Sequence, residues 1–321
     1  MSKKKRILLF LSFPFTVLLL LEIVSRQMFL SHSDMTAKFN EFDEVKSQIE
    51  VLFMGNSHVE KGINPDLIAE KSFNLAFSAQ DLYYNHKILQ KHISEMHNLK
   101  KLVIGIDPFA FYYDESINSM FFVKDYFYYE QIWPKNGFDL PFLFNSSVFW
   151  LNRGDFFIRL LQFNFTKSKI EVIKSEKFSE INDPGQYLLT NGMRLAIGKM
   201  NESELKNDAL ITINRIVNNS KTELISENYS YLSKMIKLAD NNGVEVILVC
   251  CPVYENYISR IPESIKMTSD SLINNLVRQN QKVRFYDFSS VFDKKPDYFF
   301  NSDHLNKEGS AEFSRMVSEI F

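Results

Sequence analysis

Two residues far apart in the chain have the types and surroundings that nucleophilic catalysis needs. Ser57 follows Gly55-Asn56 directly after an apolar run, and His304 lies in a polar segment near the C-terminus. A serine hydroxyl is a weak nucleophile until a positioned base takes its proton, and histidine is the common base. The pair therefore predicts acyl-transfer chemistry. The alternatives are an ordinary turn at Gly-Asn-Ser and an ordinary helix start at His304.

Three further polar residues are candidates for the same site. Asp303 and Asn301 flank His304 and could orient its ring, because each offers an oxygen to the ring nitrogen that faces away from the serine. His58, beside the nucleophile, could form hydrogen bonds within the site. Solvent exposure is expected for the histidines of the helix predicted after residue 81: His86, His92 and His97.

The elements that must position these residues alternate between strand and helix. Short uninterrupted apolar runs predict strands that are covered on both faces, and strands alternating with helices indicate a parallel sheet between two helical layers. Ligands bind beside the carboxyl ends of such strands. We therefore predict an α/β fold, a three-layer αβα, flavodoxin-like parallel sheet of about five strands. The predicted strands are 51–54, 72–75, 101–107, 244–252 and 283–288, and the predicted helices are 82–96, 223–241, 264–279 and a last one ending at 321.

The N-terminus has the pattern of a membrane segment. Basic residues at 3–6 precede an uncharged run over 7–21, and the apolar stretch continues past Glu22 to Val24. Eighteen residues of helix span roughly 27 Å, about the thickness of a bilayer core. Because the basic cluster comes first, the positive-inside rule predicts a single-pass protein of the cytoplasmic membrane whose C-terminal domain is extracytoplasmic. A cleaved signal peptide is the competing interpretation.

The alternation of strand and helix stops after residue 108 and resumes near residue 222. Phe, Tyr and Trp are dense over residues 109–165. A segment of this length is not a loop of a compact domain, so we predict an aromatic-rich inserted cap, or an insertion whose aromatic residues form a small core of their own. The predicted organisation is an anchor over 1–30, a connector over 31–48 and an α/β domain over 49–321 with the insertion at about 109–222.

Composition argues against several classes of function. The net charge of −2 provides no basic surface, so no nucleic-acid partner is expected. Cys250 and Cys251 are adjacent in an apolar run and form neither a disulfide framework nor a metal-ligand spacing. The sequence also lacks a His-x-x-x-His pair and a glycine-rich phosphate loop, so we predict no metal and no cofactor.

Three blocks, in this order, resemble the SGNH, or GDSL-like, hydrolase superfamily: Gly55-Asn-Ser57, Asn74 to Ala79, and Asp303-His304-Leu-Asn. The resemblance covers roughly residues 49–110 and 222–321. Within the superfamily the chain is similar to a membrane-anchored branch, which includes periplasmic O-acetyltransferases of alginate modification and accessory proteins of teichoic-acid D-alanylation. The resemblance implies that Ser57 is the nucleophile, that His304 is the base, and that the backbone N–H groups of Ser57 and Ala79 are oxyanion donors.

Three positions depart from the pattern of that superfamily. Ala79 stands where glycine is usual, although the backbone N–H is kept. The third block offers Asp107 but no asparagine, and loss of one oxyanion donor can cost about 100 to 1,000-fold in rate. Asn301 stands where an acid is usual, and Asp303 is its candidate substitute. The candidate oxyanion and binding residues are Ala79, Asn74, His58 and Asp107.

Two functions follow as hypotheses. The first is an extracytoplasmic serine esterase or O-acyltransferase that acts on a cell-envelope polysaccharide or another carbohydrate. Its expected partners are the carbohydrate or acylated substrate, the membrane through the N-terminal helix, and a membrane-bound acyl-transporting protein. The second is a non-catalytic binding or assembly protein of the cell envelope that keeps the fold, an alternative favoured by Asn301 and by the incomplete oxyanion hole.

Overall fold

The computed structural model describes residues 3–29, 34–68, 70–114, 179–180 and 186–321. The chain divides into two compact units, one of residues 1–37 and 116–171 and the other of residues 38–115 and 172–321. All candidate site residues belong to the second unit. From residue 115 onward, the predicted aromatic segment up to residue 165 lies outside the described residues.

The described strands and helices are as follows. The strands are β1 (Val51–Met54), β2 (Ser72–Asn74), β3 (Lys101–Gly105), β4 (Ser179–Glu180), β5 (Gln186–Leu188), β6 (Arg194–Ala196), β7 (Glu245–Cys250), β8 (Val283–Asp287), β9 (Phe299–Asn301) and β10 (His304–Leu305). The helices are α1 (Lys3–Phe29), α2 (Asp34–Val45), α3 (Ser57–Gly62), α4 (Leu82–His92), α5 (Glu202–Asn219), α6 (Ile225–Asn241), α7 (Glu255–Ile258), α8 (Glu263–Gln279) and α9 (Lys307–Ser318).

Five parallel strands form the main sheet, in the order β2-β1-β3-β7-β8. This order confirms the predicted flavodoxin-like sheet of five strands. The interior strand β1 is fully buried along its length, as its uninterrupted apolar run predicts. Within the sheet, Met54 pairs with Ile104, which in turn pairs with Leu248. The carboxyl ends of β1, β3 and β7 therefore meet at one edge, where the residues that follow them converge.

Helix α1 contains Pro14 and exposes Phe10 and Phe13. No helix in the described part of the chain combines the length and the apolar character that crossing a membrane requires. The predicted N-terminal transmembrane helix is therefore unsupported by the structure, and the membrane location stays a prediction.

The predicted connector over residues 31–48 contains helix α2. Two of its aromatic side chains, Phe39 and Phe42, are buried, and their ring centres lie 6.2 and 5.3 Å from that of His92. The expectation that His86 and His92 are exposed is wrong, because the inner face of α4 buries both. Burial lowers the pKa of each imidazole to about 4, so both are neutral at pH 7.

The described end of the insertion lies against the edge strand of the main sheet. Strands β5 and β6 form an antiparallel pair, and the carbonyl of Asn191 between them accepts a 2.9 Å hydrogen bond from the N–H of Asn74 in β2. Gly192 has a φ of +83°, and a Cβ atom there would lie 2.1 Å from the Asn74 carbonyl oxygen. Only glycine permits this close approach.

Candidate active site

Ser57 begins helix α3 directly after strand β1. Asn56 caps this helix, since its side-chain oxygen accepts a 3.1 Å hydrogen bond from the N–H of His58. The amide nitrogen of Asn56 donates a 2.6 Å bond to Asp107, which follows β3. Asn56 therefore caps α3, and Ser57 is placed at the carboxyl edge of the sheet.

Strands β9 and β10 hold His304 opposite Asn301. Residues directly opposite each other in an antiparallel pair are close enough to interact, so the three-residue spacing brings the two side chains together. The His304 Nδ1 atom lies 2.9 Å from the Asn301 side-chain oxygen and 3.0 Å from a carboxylate oxygen of Asp303. The structure thus brings together both residues that the sequence offered as orienters of the ring.

This environment assigns the tautomer of His304. Two acceptor oxygens face Nδ1, so the hydrogen-bond network places the proton there and the lone pair on Nε2. Nε2 is buried and has no hydrogen-bond partner among the described residues. Burial, helped by the charge of Lys61, lowers the pKa of His304 to about 4 against the opposing carboxylate of Asp303. The ring is therefore a neutral base at pH 7.

His58 lies between two carboxylates. Its Nδ1 atom is 3.9 Å from Asp107, its Nε2 atom is 3.9 Å from Asp303, and its ring centre is 5.5 Å from that of His304. Burial alone lowers the pKa of His58, but its attraction to the carboxylates of Asp303 and Asp107 outweighs this effect and raises the pKa. Although burial raises the pKa of Asp303, the two histidines hold it well below its usual range. The site thus combines an imidazole whose pKa is lowered, His304, with an adjacent imidazole whose pKa is raised, His58.

Ala79 lies in a turn that packs against the nucleophile segment. The N–H of Gln80 donates to the carbonyl of Phe77, and the N–H of Phe77 donates to the carbonyl of Gly55. Ala79 has a φ of +57°, the conformation of the third position of a type II turn, where glycine is strongly preferred. The departure from glycine therefore keeps the backbone path but introduces conformational strain.

Asn74 and Asp107 hold the elements of the site together. The fully buried amide of Asn74 donates to the carbonyls of Val59 and Ile63 at 2.9 and 2.8 Å, and its oxygen accepts from the N–H of Ala76. Both donors of Asn74 thus hold α3 against β2. Asp107 accepts hydrogen bonds from Asn56 and from the N–H of Phe109. An ionised carboxylate has no hydrogen to donate to an oxyanion. In the structure, Asp107 instead anchors Asn56, the cap of α3.

A buried ion cluster behind α3 escaped the sequence analysis. Glu60 is fully buried and lies 3.3 Å from Lys38 of α2 and 3.1 Å from Arg194 of β6. It also accepts a hydrogen bond from Ser78, the residue before Ala79. Burial raises the pKa of Glu60, but the two cations hold it far below its usual range. The cluster fixes the turn that carries Ala79 against the helix that carries Ser57.

Asp208 of helix α5 holds the turn before His304. Its carboxylate accepts hydrogen bonds from the N–H and the hydroxyl of Ser302, at 3.0 and 2.6 Å. The sequence offered no signal for this role, because Asp208 lies 94 residues from its partner on a helix that was not predicted. A residue from the insertion thus supports the turn that precedes His304.

His58, Asp303 and His304 have potential metal-ligand atoms within 4.8 Å of one another. Imidazole and carboxylate are donors that zinc accepts. Each of the three side chains already takes part in the hydrogen-bonded and ionic network, in which Asp303 contacts both histidines. We therefore assign acid–base chemistry to the cluster.

Comparisons with known proteins yield only weak similarity. No protein-family model and no curated protein matches the chain. Among solved structures, a GDSL-like lipase from Bacteroides thetaiotaomicron is 12% identical, with a TM-score of 0.40 over 88% of this chain and 97% of that chain. A "putative acylhydrolase" from Bacteroides fragilis is 14% identical, with a TM-score of 0.37 over 84% and 85% of the two chains. A "putative platelet activating factor" from Streptococcus pneumoniae is 12% identical, with a TM-score of 0.39 over 99% of each chain. Similarity at this level carries no argument about activity, so the chemistry is argued from the residues themselves.

Proposed function

We propose that this protein is a serine esterase or O-acyltransferase with Ser57 as nucleophile and His304 as base. The observation that carries the proposal is the environment of the His304 ring. Asn301 and Asp303 hold its Nδ1 atom, and its buried Nε2 atom is left without a partner among the described residues. This is the tautomer that a serine-activating histidine needs.

The proposed reaction has two half-reactions. His304 takes the proton of Ser57 as Oγ attacks the ester carbonyl, and the backbone N–H groups of Ser57 and Ala79 stabilise the resulting oxyanion. The tetrahedral intermediate collapses when the protonated His304 gives its proton to the departing alcohol, which leaves acyl-Ser57. Water or a sugar hydroxyl then attacks the acyl-enzyme while His304 takes its proton, and Ser57 receives the proton back. The products are a free acid or a new ester.

His58 supplies positive charge beside the nucleophile in this proposal. The carboxylates of Asp107 and Asp303 favour its charged form, and a fixed cation near a developing oxyanion stabilises the transition state. This charge compensates in part for the missing asparagine of the third block, which would otherwise donate a hydrogen bond to the oxyanion.

The Ser57 hydroxyl and the His304 ring are not hydrogen-bonded to each other, since Nε2 has no partner in the described part of the chain. Catalytic hydrogen bonds are often long without substrate and tighten in the Michaelis complex. The proposal therefore requires the two side chains to approach each other when an ester binds.

A fluorophosphonate probe tests the proposal, because such a probe labels only an activated serine. Intact-mass spectrometry should show one adduct on the wild-type protein, located at Ser57 by peptide mapping, and none on Ser57→Ala. The control is Ser94→Ala, which alters an exposed serine outside the site and should still be labelled. Equal labelling of Ser57→Ala and wild type would remove the proposal. A correctly folded wild-type protein that is not labelled would favour the non-catalytic binding protein.

The proposed setting is the outer face of a cytoplasmic membrane, with a cell-envelope polysaccharide as acyl acceptor and a membrane-bound acyl-transporting protein as donor. The basic cluster before the uncharged run over residues 7–21 supports this setting, as do the exposed phenylalanines of α1. Alkaline phosphatase fused after residue 321 should be active in a bacterial host, because it folds only outside the cytoplasm. An inactive fusion of normal abundance would contradict the setting but leave the catalytic proposal intact.

A further inference from the structure

We infer that Lys38, in the segment predicted as a connector, is a positioning residue that holds the oxyanion turn in its catalytic conformation. The oxyanion turn consists of residues 77–80 and carries Ala79. The inference rests on the proposed function, because the N–H of Ala79 is a proposed oxyanion donor. It makes Lys38 and Phe39 of helix α2 part of the candidate active site, and both belong to the second unit of the chain.

The ammonium group of Lys38 is buried against the backbone just before the turn. Only 1% of Lys38 is exposed. Its Nζ atom donates a 2.5 Å hydrogen bond to the carbonyl of Ala76 and lies 4.3 Å from the centre of the Phe77 ring. The carboxylate of Glu60, 3.3 Å away, balances the charge. Because a buried charge must be paired and hydrogen-bonded, these contacts fix the position of the ammonium group.

The peptide unit between Ala76 and Phe77 links Lys38 to the nucleophile segment. Its carbonyl accepts the hydrogen bond of Lys38, and its N–H donates a 3.2 Å bond to the carbonyl of Gly55, two residues before Ser57. Hydrogen bonds in such a chain polarise and strengthen one another. A shift of this peptide unit would therefore move the oxyanion turn relative to the nucleophile.

The side chains of the turn are held as well. The Phe77 ring stacks on Phe39, with ring centres 5.4 Å apart and an angle of 10° between the two planes. The hydroxyl of Ser78 donates a hydrogen bond to Glu60, the ion-pair partner of Lys38. The first two residues of the turn are thus fixed by α2 and by the ion pair that α2 completes.

The third residue of the turn is the one that needs this support. Ala79 has a φ of +57°, a conformation that a residue with a side chain keeps only when the surrounding structure imposes it. The contacts of residues 76–78 provide that constraint. Without Lys38, we expect the turn to relax towards a negative φ, which moves the Ala79 N–H from the position that the proposed oxyanion needs.

Steady-state kinetics on p-nitrophenyl butyrate measures the positioning role. Lys38→Met keeps the length of the side chain but removes its charge and its donors. It should lower kcat at least tenfold and leave KM within twofold, because the oxyanion develops only in the transition state. The acid limb of the pH profile should stay in place, since burial and the charges of Lys61 and His58 are what lower the pKa of His304.

Three further variants make the kinetic result specific. Lys38→Arg keeps a charged donor and should retain at least a third of the wild-type kcat. Phe39→Leu keeps an apolar side chain but removes the stacked ring, so it should lower kcat at least threefold, and it guards against a Lys38→Met protein that fails to fold. Lys46→Met is the matched control, because this lysine of the same segment pairs with Asp43 and Glu95 and should leave kcat within twofold.

Unfolding provides a readout that does not require turnover. Ala79→Gly should raise the midpoint of urea denaturation in the wild-type background, because glycine relieves the strain of a positive φ. In the Lys38→Met background the gain should be clearly smaller, since a relaxed turn no longer strains an alanine. In the Lys46→Met background the gain should equal that of the wild type.

The inference and the proposed function fail in different ways. An equal gain from Ala79→Gly with and without Lys38 would overturn the inference, as would a wild-type kcat in a folded Lys38→Met protein. A reduced gain in a protein that turns over no ester and takes up no fluorophosphonate would support the hold of Lys38 on the turn and reject the esterase function.

Discussion

The His304 ring and the Asn301 amide are joined by a 2.9 Å hydrogen bond across the β9–β10 pair. An amide oxygen can accept from an imidazole N–H as a carboxylate oxygen does, but it adds no charge. Asp303, 3.0 Å from the same nitrogen, supplies the charge. The roles of orientation and charge, which one acid usually combines, are thus divided here between two neighbouring residues.

This division predicts the effect of Asn301→Leu, which keeps the approximate size of the side chain but cannot accept a hydrogen bond. We expect kcat to fall by about 100-fold with little change in KM, because the ring loses its fixed tautomer. Asn301→Asp keeps an acceptor and should retain at least a tenth of the wild-type kcat. Steady-state kinetics on p-nitrophenyl butyrate would measure both, and a wild-type kcat in Asn301→Leu would show that Asp303 alone orients the ring.

The pH dependence of kcat/KM should have an unusually acidic limb. Burial lowers the pKa of His304 from 6.5 to about 4, so the base stays unprotonated well below the usual pH of histidine catalysis. We expect half-maximal activity near pH 4. Replacing His58 by Gln removes a nearby positive charge that lowers this pKa, so the limb should move to higher pH. A limb at pH 6.5 in the wild type would contradict the buried, neutral base.

The lowered pKa of His304 also affects folding. The unfolded chain takes up a proton at the ordinary value of 6.5, whereas the folded site stays neutral until about pH 4. The unfolded state therefore binds more protons between these values, so the free energy of unfolding should decrease as the pH falls from 6.5 to 4. Urea titrations over this interval should show less pH dependence for His304→Gln.

Ala79→Gly should stabilise the fold. Ala79 has a φ of +57°, and the left-handed conformation costs a residue with a side chain roughly 1–2 kcal/mol. Glycine removes this strain, but it also raises the entropy of the unfolded chain, which offsets part of the gain. We expect a net gain of up to about 1 kcal/mol in the free energy of unfolding, with kcat preserved. Ala76→Gly is the control, because Ala76 is buried without a positive φ and should lose stability. Urea denaturation of both variants decides the matter.

Glu60→Gln should destabilise the protein and lower kcat together. The variant leaves Lys38 and Arg194 without their buried carboxylate, and breaking such a pair costs about 3–5 kcal/mol. In the wild type, the folded pKa of Glu60 is below its ordinary 4.5, so its contribution to stability is lost as the pH falls below that value. Lys199→Gln alters an exposed ion pair and should change neither property. A wild-type kcat in Glu60→Gln would show that the ion cluster does not contribute to catalysis.

Zinc should inhibit the enzyme, and chelation should leave it active. The ligand atoms of His58, Asp303 and His304 lie within 4.8 Å of one another, so added Zn²⁺ would compete with the proton for the catalytic base. Dialysis against EDTA should leave kcat/KM unchanged, and His58→Gln should weaken zinc inhibition. Loss of activity on dialysis with recovery on added zinc would instead identify a metal hydrolase.

The middle of the sheet was predictable because β1, β3 and β7 are built on short apolar runs. Val51–Met54 agrees with the prediction to the residue, and the order of the strands follows the flavodoxin-like pattern. The position of Ser57 at the carboxyl edge was predictable because it follows one of these strands, whereas the site roles of Ser57 and His304 stay predictions. The contact between Asn301 and the His304 ring became clear only from the strand pairing, which places the two residues opposite each other.

The supporting cluster was not predictable from the sequence. Glu60, Lys38 and Arg194 have the composition of an ordinary solvated surface, and their partners lie 22 and 134 residues apart. Only burial in the folded structure distinguishes these three residues from ordinary surface charges. The conformation of Ala79 is a similar case, because nothing in an alanine indicates a positive φ.

The contact between the Asn191 carbonyl and the N–H of Asn74 has a consequence for self-association. Strand β2 is the outermost strand of the sheet, and an outer strand with free N–H groups is a template for pairing with another molecule. The Asn191 carbonyl already accepts the hydrogen bond of the Asn74 N–H group. Gly192 lets the backbone of the hairpin lie so close to Asn74 that no strand of another molecule fits between them. The hairpin of the insertion thus blocks the sheet from growing at this border, a safeguard against aggregation built into the same chain.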